Sequence, residues 1–153
     1  MGKELLTILI AASPIIELRG AIPWAMGVLQ FPWPKAFILS FIGNILPVIP
    51  LLWFWKHMAA FLMKKSPFFD KLFSWVFART RRKAQRHFQQ YAAGALVILV
   101  AIPLPLTGAW TGTVAAFLFN IDEKKSFLLI SLGVLIAGII VTALTLLGIG
   151  LIT

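Results

Sequence analysis

The stretch Ser13-Pro14-Ile15-Ile16-Glu17-Leu18-Arg19-Gly20-Ala21-Ile22-Pro23 lies between two apolar runs, Leu5–Ala12 and Trp24–Phe31. At the centre of a spanning helix, Glu17 and Arg19 would each cost about 2.5–3.5 kcal/mol to insert. Pro14 and Pro23 would also leave helix carbonyls unpaired. Lys3–Ala12, as a helix, reaches roughly 15 Å, or about half of a ~30 Å hydrocarbon core. A re-entrant hairpin, whose tip turns at mid-depth and faces a watered cavity, removes most of that cost.

Further along, Tyr91–Ala101 and Ala109–Phe119 flank another break, Ile102-Pro103-Leu104-Pro105-Leu106-Thr107-Gly108. After each break come a polar turn and a long apolar segment. Pro32 and Pro34 mark the first turn, and Asn120–Lys125 form the second. Ala36–Trp55 is long enough to span, with a kink expected at Asn44, Pro47 and Pro50. Ser126–Ile152 is uncharged, and at roughly 40 Å it should tilt. Within it, Gly133/Ala137 and Gly138/Thr142 are small pairs four apart that favour close helix contact.

The order of features therefore occurs twice. Gly20-Ala21 aligns with Gly108-Ala109 at an offset of 88, and Phe37, Leu39 and Gly43 align with Phe127, Leu129 and Gly133 at 90. If each half crosses the membrane once, the second is inverted relative to the first, as in many secondary transporters. The expectation is an all-α integral membrane protein. Two re-entrant helical hairpins, each followed by a transmembrane helix, form an inverted repeat (1–58 and 91–153), with an amphipathic helix at 59–90 between them.

The composition agrees. The chain has 153 residues, 60% hydrophobic and 12% charged, with mean hydropathy +0.94, far too apolar for a soluble domain of this length. Much of the +9 net charge falls at Lys56, Lys64, Lys65, Lys71, Arg79, Arg81, Arg82, Lys83 and Arg86. The positive-inside rule makes this a cytoplasmic segment of a multi-pass protein of the cell membrane. Its apolar flanks argue against a nucleic-acid partner. Phe69, Leu72, Phe73, Val76 and Phe77 recur at helical spacing over Pro67–Gln90, as in a helix lying on anionic lipid. Charge does not choose between hairpins and four plain spans. Lys3 and Lys35 are misplaced in the first, Lys35, Lys124 and Lys125 in the second.

No cysteine is present, so thiolate metal sites and disulfides are excluded. His57 and His87 have no acidic neighbour in sequence, and neither a cofactor nor a metal is expected. No nucleophile is paired with a base and no phosphate loop occurs, so the chain has no mark of an enzyme. Glu17 is a candidate coupling residue for a proton or other cation. Arg19 would hold an anion or pair with Glu17. Helices are expected to begin near Gly20–Pro23, with Pro23 in a first turn, and near Gly108–Gly112. Their N-termini would favour an anionic group, with Thr107 and Thr111 as further donors and Pro105 and Gly108 shaping the loop. Asn44 would bond a hairpin tip. The tryptophans would anchor at the interface, except Trp110, which would line a cavity.

The Ser13–Pro23 stretch and Pro103-Leu104-Pro105-Leu106-Thr107-Gly108-Ala109-Trp110-Thr111-Gly112 resemble the small multidrug export protein family over nearly the whole chain. That family is similar, distantly, to the DedA/VTT superfamily, which includes polyprenyl-phosphate translocases and lipid scramblases with two opposed re-entrant loops. The resemblance implies transport of a small molecule or lipid. Glu17 matches the acid of the first loop, whereas the arginines of the second loop have no counterpart in Ile102–Gly112. The expectation is a small, ion- or proton-coupled secondary transporter that works as a homodimer without a cofactor. Its rivals are a lipid translocase or scramblase and a non-transporting scaffold.

Overall fold

In the computed structural model, residues 2–82, 86–104 and 107–152 are described, and every regular element among them is an α-helix. In order these are α1 (Gly2–Ala12), α2 (Glu17–Gly27), α3 (Trp33–Ile45), α4 (Val48–Lys65), α5 (Pro67–Arg82), α6 (Arg86–Ala101), α7 (Ala109–Leu118) and α8 (Glu123–Ile152).

Two stretches are long and apolar enough to cross a membrane, Trp33–Lys65 and Glu123–Leu151. Only 28% and 39% of their apolar windows are buried within the chain. The core helix of a soluble protein would be mostly covered. Instead the outer face of α8 leaves Leu128 67%, Ile139 57% and Leu147 65% exposed. An apolar surface of that extent is stable against lipid rather than water. The expected kink sits at Leu46–Pro47, where α3 gives way to α4. Pro50 lies in the first turn of α4, where its missing N–H leaves no helix carbonyl unpaired.

Side-chain contacts fix the directions of the helices. Lys35 at the start of α3 bonds Glu4 at the start of α1 at 2.8 Å. That hydrogen bond holds the Glu4 carboxyl down at about 2. Further on, Gly43 of α3 backs onto Ile8 and Ala11 of α1. The two helices therefore run the same way, and α2 returns between them, packed on both. Gly133 of α8 backs in the same manner onto Val97 and Val100 of α6. Between α3–α4 and α8 the direction is opposite. Phe37 meets Gly138, while Lys56 meets Glu123 at 2.9 Å.

The core gathers where these helices cross: Leu18 and Ile22 of α2, Leu96 and Val100 of α6, and Ile130 and Val134 of α8. The close approaches depend on glycine. A methyl group on Gly43 would lie 2.9 Å from the Ala11 Cβ and 3.0 Å from the Ile8 Cα, neither of which can swing away. Gly43→Ala should therefore cost about 1–3 kcal/mol by overpacking, read as a lowered thermal midpoint in detergent. An unchanged midpoint would mean that α1 and α3 sit further apart.

Two expectations need correction. α2 begins at Glu17, so Pro23 is inside the helix and not in its first turn. Its ring removes one helix bond, which burial offsets. Leu18, Ala21, Ile22 and Ala25 form a stripe that is at most 1% exposed. The amphipathic helix expected at 59–90 also does not start at 59: residues 59–65 belong to α4, and α5 starts at Pro67, while residues 83–85 lie outside the described residues. Phe73 of α5 meets Phe117 of α7 edge-on at 5.9 Å, whereas Leu72 and Trp75 remain exposed. The apolar side of α5 thus serves the protein interior as well as its surroundings.

Candidate functional site

The two breaks in the sequence meet. Pro14, Ile15, Ile16, Glu17 and Arg19 from the first, with Pro103, Leu104, Thr107 and Thr111 from the second, line a cavity of about 320 Å³. Each break leaves a helix ending at its C-terminus and another starting at its N-terminus, with unpaired carbonyls and N–H groups.

The first tip supplies both partners that the second tip lacks. Arg19 points its terminal nitrogens at the end of α6. Nη2 donates to the carbonyls of Ile102 at 3.1 Å and Val100 at 3.4 Å, and Nη1 donates to that of Leu104. A cation at a helix C-terminus is also where the helix dipole favours it. Glu17 takes the opposite end. Its Oε1 accepts the backbone N–H of Trp110, in the first turn of α7, at 3.5 Å. The N-cap of α7 is Gly108, which has no capping side chain. A Cβ there would fall on the Glu17 carboxylate, so the glycine leaves the space that the carboxylate fills. The second tip reciprocates. Trp110 Nε1 donates to the carbonyl of Ala12, the last residue of α1, at 3.1 Å.

Glu17 is 6% exposed and has φ 51, in the left-handed region. For a residue other than glycine this costs roughly 1–2 kcal/mol, offset only because the surroundings hold it there. Elsewhere among the described residues non-glycine positive φ occurs at Gln30 and Asn120, just after α2 and α7, where helices commonly end.

Local bonds shape both loops. Ser13 Oγ donates to the carbonyl of Ile10 at 2.7 Å and accepts the N–H of Ile16 at 3.3 Å. Thr107 Oγ1 reaches the carbonyls of Ile102 at 2.8 Å and Leu104 at 2.9 Å. Gly20 packs against Ile16. Pro23 is on α2, a helical turn away from Arg19. Pro105 lies outside the described residues. Asn44 is not at the cavity; it is buried on α3, and its Oδ1 has no hydrogen-bond partner. Trp110 bridges the tips instead of lining the cavity. Trp55 is no simple interface anchor either, because its Nε1 donates to Thr113 of α7 at 3.1 Å.

The carbonyls of Ala12, Val100, Ile102 and Leu104 are functional groups that residue types do not reveal. They belong to the backbone, and the one sequence signal for them is the end of each apolar run before a break. Among the described residues, no cluster of His, Cys, Asp or Glu could hold a metal ion. Gly108→Ala should push the carboxylate off the start of α7, at about 1–3 kcal/mol for the clash. Thermal unfolding should show that loss, and Glu17→Gly in the same chain should recover part of it by freeing the space. No recovery would place the clash elsewhere.

A family model described as "Putative small multi-drug export protein" matches residues 17–140, from Glu17 through both tips into α8. No curated protein and no solved structure matches the chain.

Proposed function

This chain belongs to the small multi-drug export protein family, a membership that supports a membrane export role, and we propose that it is a secondary transporter with Glu17 as its coupling residue. The observation that carries this is the double duty of Glu17. Its carboxylate lines the cavity and also caps α7 across the tip contact. A proton or other cation taken up there weakens the hold on α7, so ion binding and the meeting of the tips are linked. Arg19 keeps the end of α6 in place while this happens. Alternating access follows from one half moving against the other.

Two ion pairs support a re-entrant topology. Glu4 with Lys35 joins the start of α1 to the start of α3, as expected if α1 and α2 enter and leave on one side. Lys56 with Glu123 joins the basic half of the chain to the start of α8, as expected if α6 and α7 do the same from the other. The opposite directions of α3–α4 and α8 are those of an inverted repeat. We read the basic 56–86 segment as cytoplasmic, and the exposed leucines of α8 as the face for lipid or for a second copy in a homodimer. Gly133 and Gly138 are used up inside the chain, so a dimer would pack through that leucine face.

The chain has no cysteine, so single cysteines can be labelled without background. Lys3→Cys and Lys35→Cys should react with an impermeant maleimide from one side of the membrane, and Lys64→Cys and Lys124→Cys from the other. Labelling of residues 3 and 35 from opposite sides would return four plain spans and remove the hairpins.

A further inference from the structure

We infer that the tip cavity takes lipophilic cations and rejects anions of the same shape, an assignment that rests on the transporter function proposed above. The cavity holds one carboxylate and one guanidinium, and the two differ in what they have left to offer. The terminal nitrogens of Arg19 are turned to the carbonyls of Val100, Ile102 and Leu104. Its Nε hydrogen has no acceptor, but that atom is buried beyond the reach of a ligand. An anion would have to pull the guanidinium off the end of α6. At the N-terminus of α7, the other place suited to an anion, the Glu17 carboxylate already fills the space beside Gly108 and would repel one.

Glu17 is committed far less. An ionised carboxylate has about four lone-pair sites. Here Oε1 accepts one long hydrogen bond, at 3.5 Å, and Oε2 accepts none from the described residues. The charge left to a ligand is therefore negative. Around it the wall is mixed: Pro14, Ile15, Ile16, Pro103 and Leu104 give it an apolar side, and Thr107 and Thr111 a polar one. Ile15 is 91% and Leu104 55% exposed, so the rim is greasy and suits a ligand arriving from the bilayer. A cation with an apolar body matches the charge and the apolar side of the wall. Arg19 is the other charged group facing Glu17. The ends of α1, α6 and α7 bring no ionisable side chain to the cavity among the described residues, so protons and cations compete for Glu17 alone.

The full chain in lipid nanodiscs can be tested with a pair matched in shape, tetraphenylphosphonium and tetraphenylborate, and with the smaller benzyltrimethylammonium, each corrected for binding to empty discs. At least one cation should bind saturably and the borate should not. Lowering the pH should weaken cation binding, and Glu17→Gln should weaken it by about tenfold or more, the loss of one charge-assisted contact. Gln keeps an acceptor for the Trp110 N–H, so the tip should persist. The wild-type comparison of the two charges stands whether or not the variant folds. Saturable borate binding, cation binding that is unchanged in Glu17→Gln, or no saturable binding of either cation would overturn the assignment. Proton-linked movement of an anion that still needs Glu17 would sink the cation class and leave the transporter standing.

Discussion

Glu17→Gln is expected to abolish proton-linked transport in proteoliposomes while moving the thermal midpoint little. The amide is close in size to the carboxylate and can still accept the Trp110 N–H. What it loses is the charge beside the start of α7, worth about 0.3–1 kcal/mol at a helix N-terminus. Glu17→Ala also removes the cap, for about 0.5–2 kcal/mol more. Glu17→Gly removes the same side chain but relaxes φ 51, which returns roughly 1–2 kcal/mol. The stability order should therefore be Gln, then Gly, then Ala, with transport absent in all three. Proton-linked transport at the wild-type rate in Glu17→Gln would end the coupling role. An alanine variant more stable than the glycine variant would mean that the left-handed turn is not held in the membrane.

Arg19→Ala should be the most destabilising single change at the tips. It strips the donor from three carbonyls at and after the end of α6. A hydrogen bond to a charged group is worth about 1.5–3 kcal/mol. The bonds share one side chain and water can reach part of the loop, so a loss of about 2–4 kcal/mol is expected in total. Arg19→Lys should recover less than half, because an ammonium is a point charge and cannot fork across several carbonyls. Urea titration in detergent measures both. A residue that only binds substrate would behave differently. Its removal would abolish transport and leave stability within about 0.5 kcal/mol of wild type.

Much of the architecture is legible in the residues. The long apolar segments, the breaks and the offsets of 88 and 90 all come from local pattern, and the helices follow them. Gly43 and Gly133 play matching parts against α1 and α6, although only a few identities link the halves. Local pattern puts Pro23 in a first turn, where a proline is easiest to fit. In the fold, the buried stripe Leu18, Ala21, Ile22 and Ala25 outweighs one lost helix bond. Asn44, expected to bond a tip, has no partner there. A polar residue in an apolar segment shows where an oxygen lies along the chain, not what it faces.

The asymmetry between the tips is the clearest division. In the sequence, one break carries an acid and a base and the other carries neither, which casts the Ile102–Gly108 break as the poorer partner. In the folded chain that tip contributes bare helix ends, and Glu17 and Arg19 are their caps. Sequence determined that these two charges lie at a break in an apolar segment, because the cost of burying them depends on composition and position alone. Only the tertiary structure decided what they meet. Arg19 finds its carbonyls 81 to 85 residues away, and Glu17 its N–H 93 residues away. The groups that receive them are backbone atoms, which every residue carries and no residue type announces.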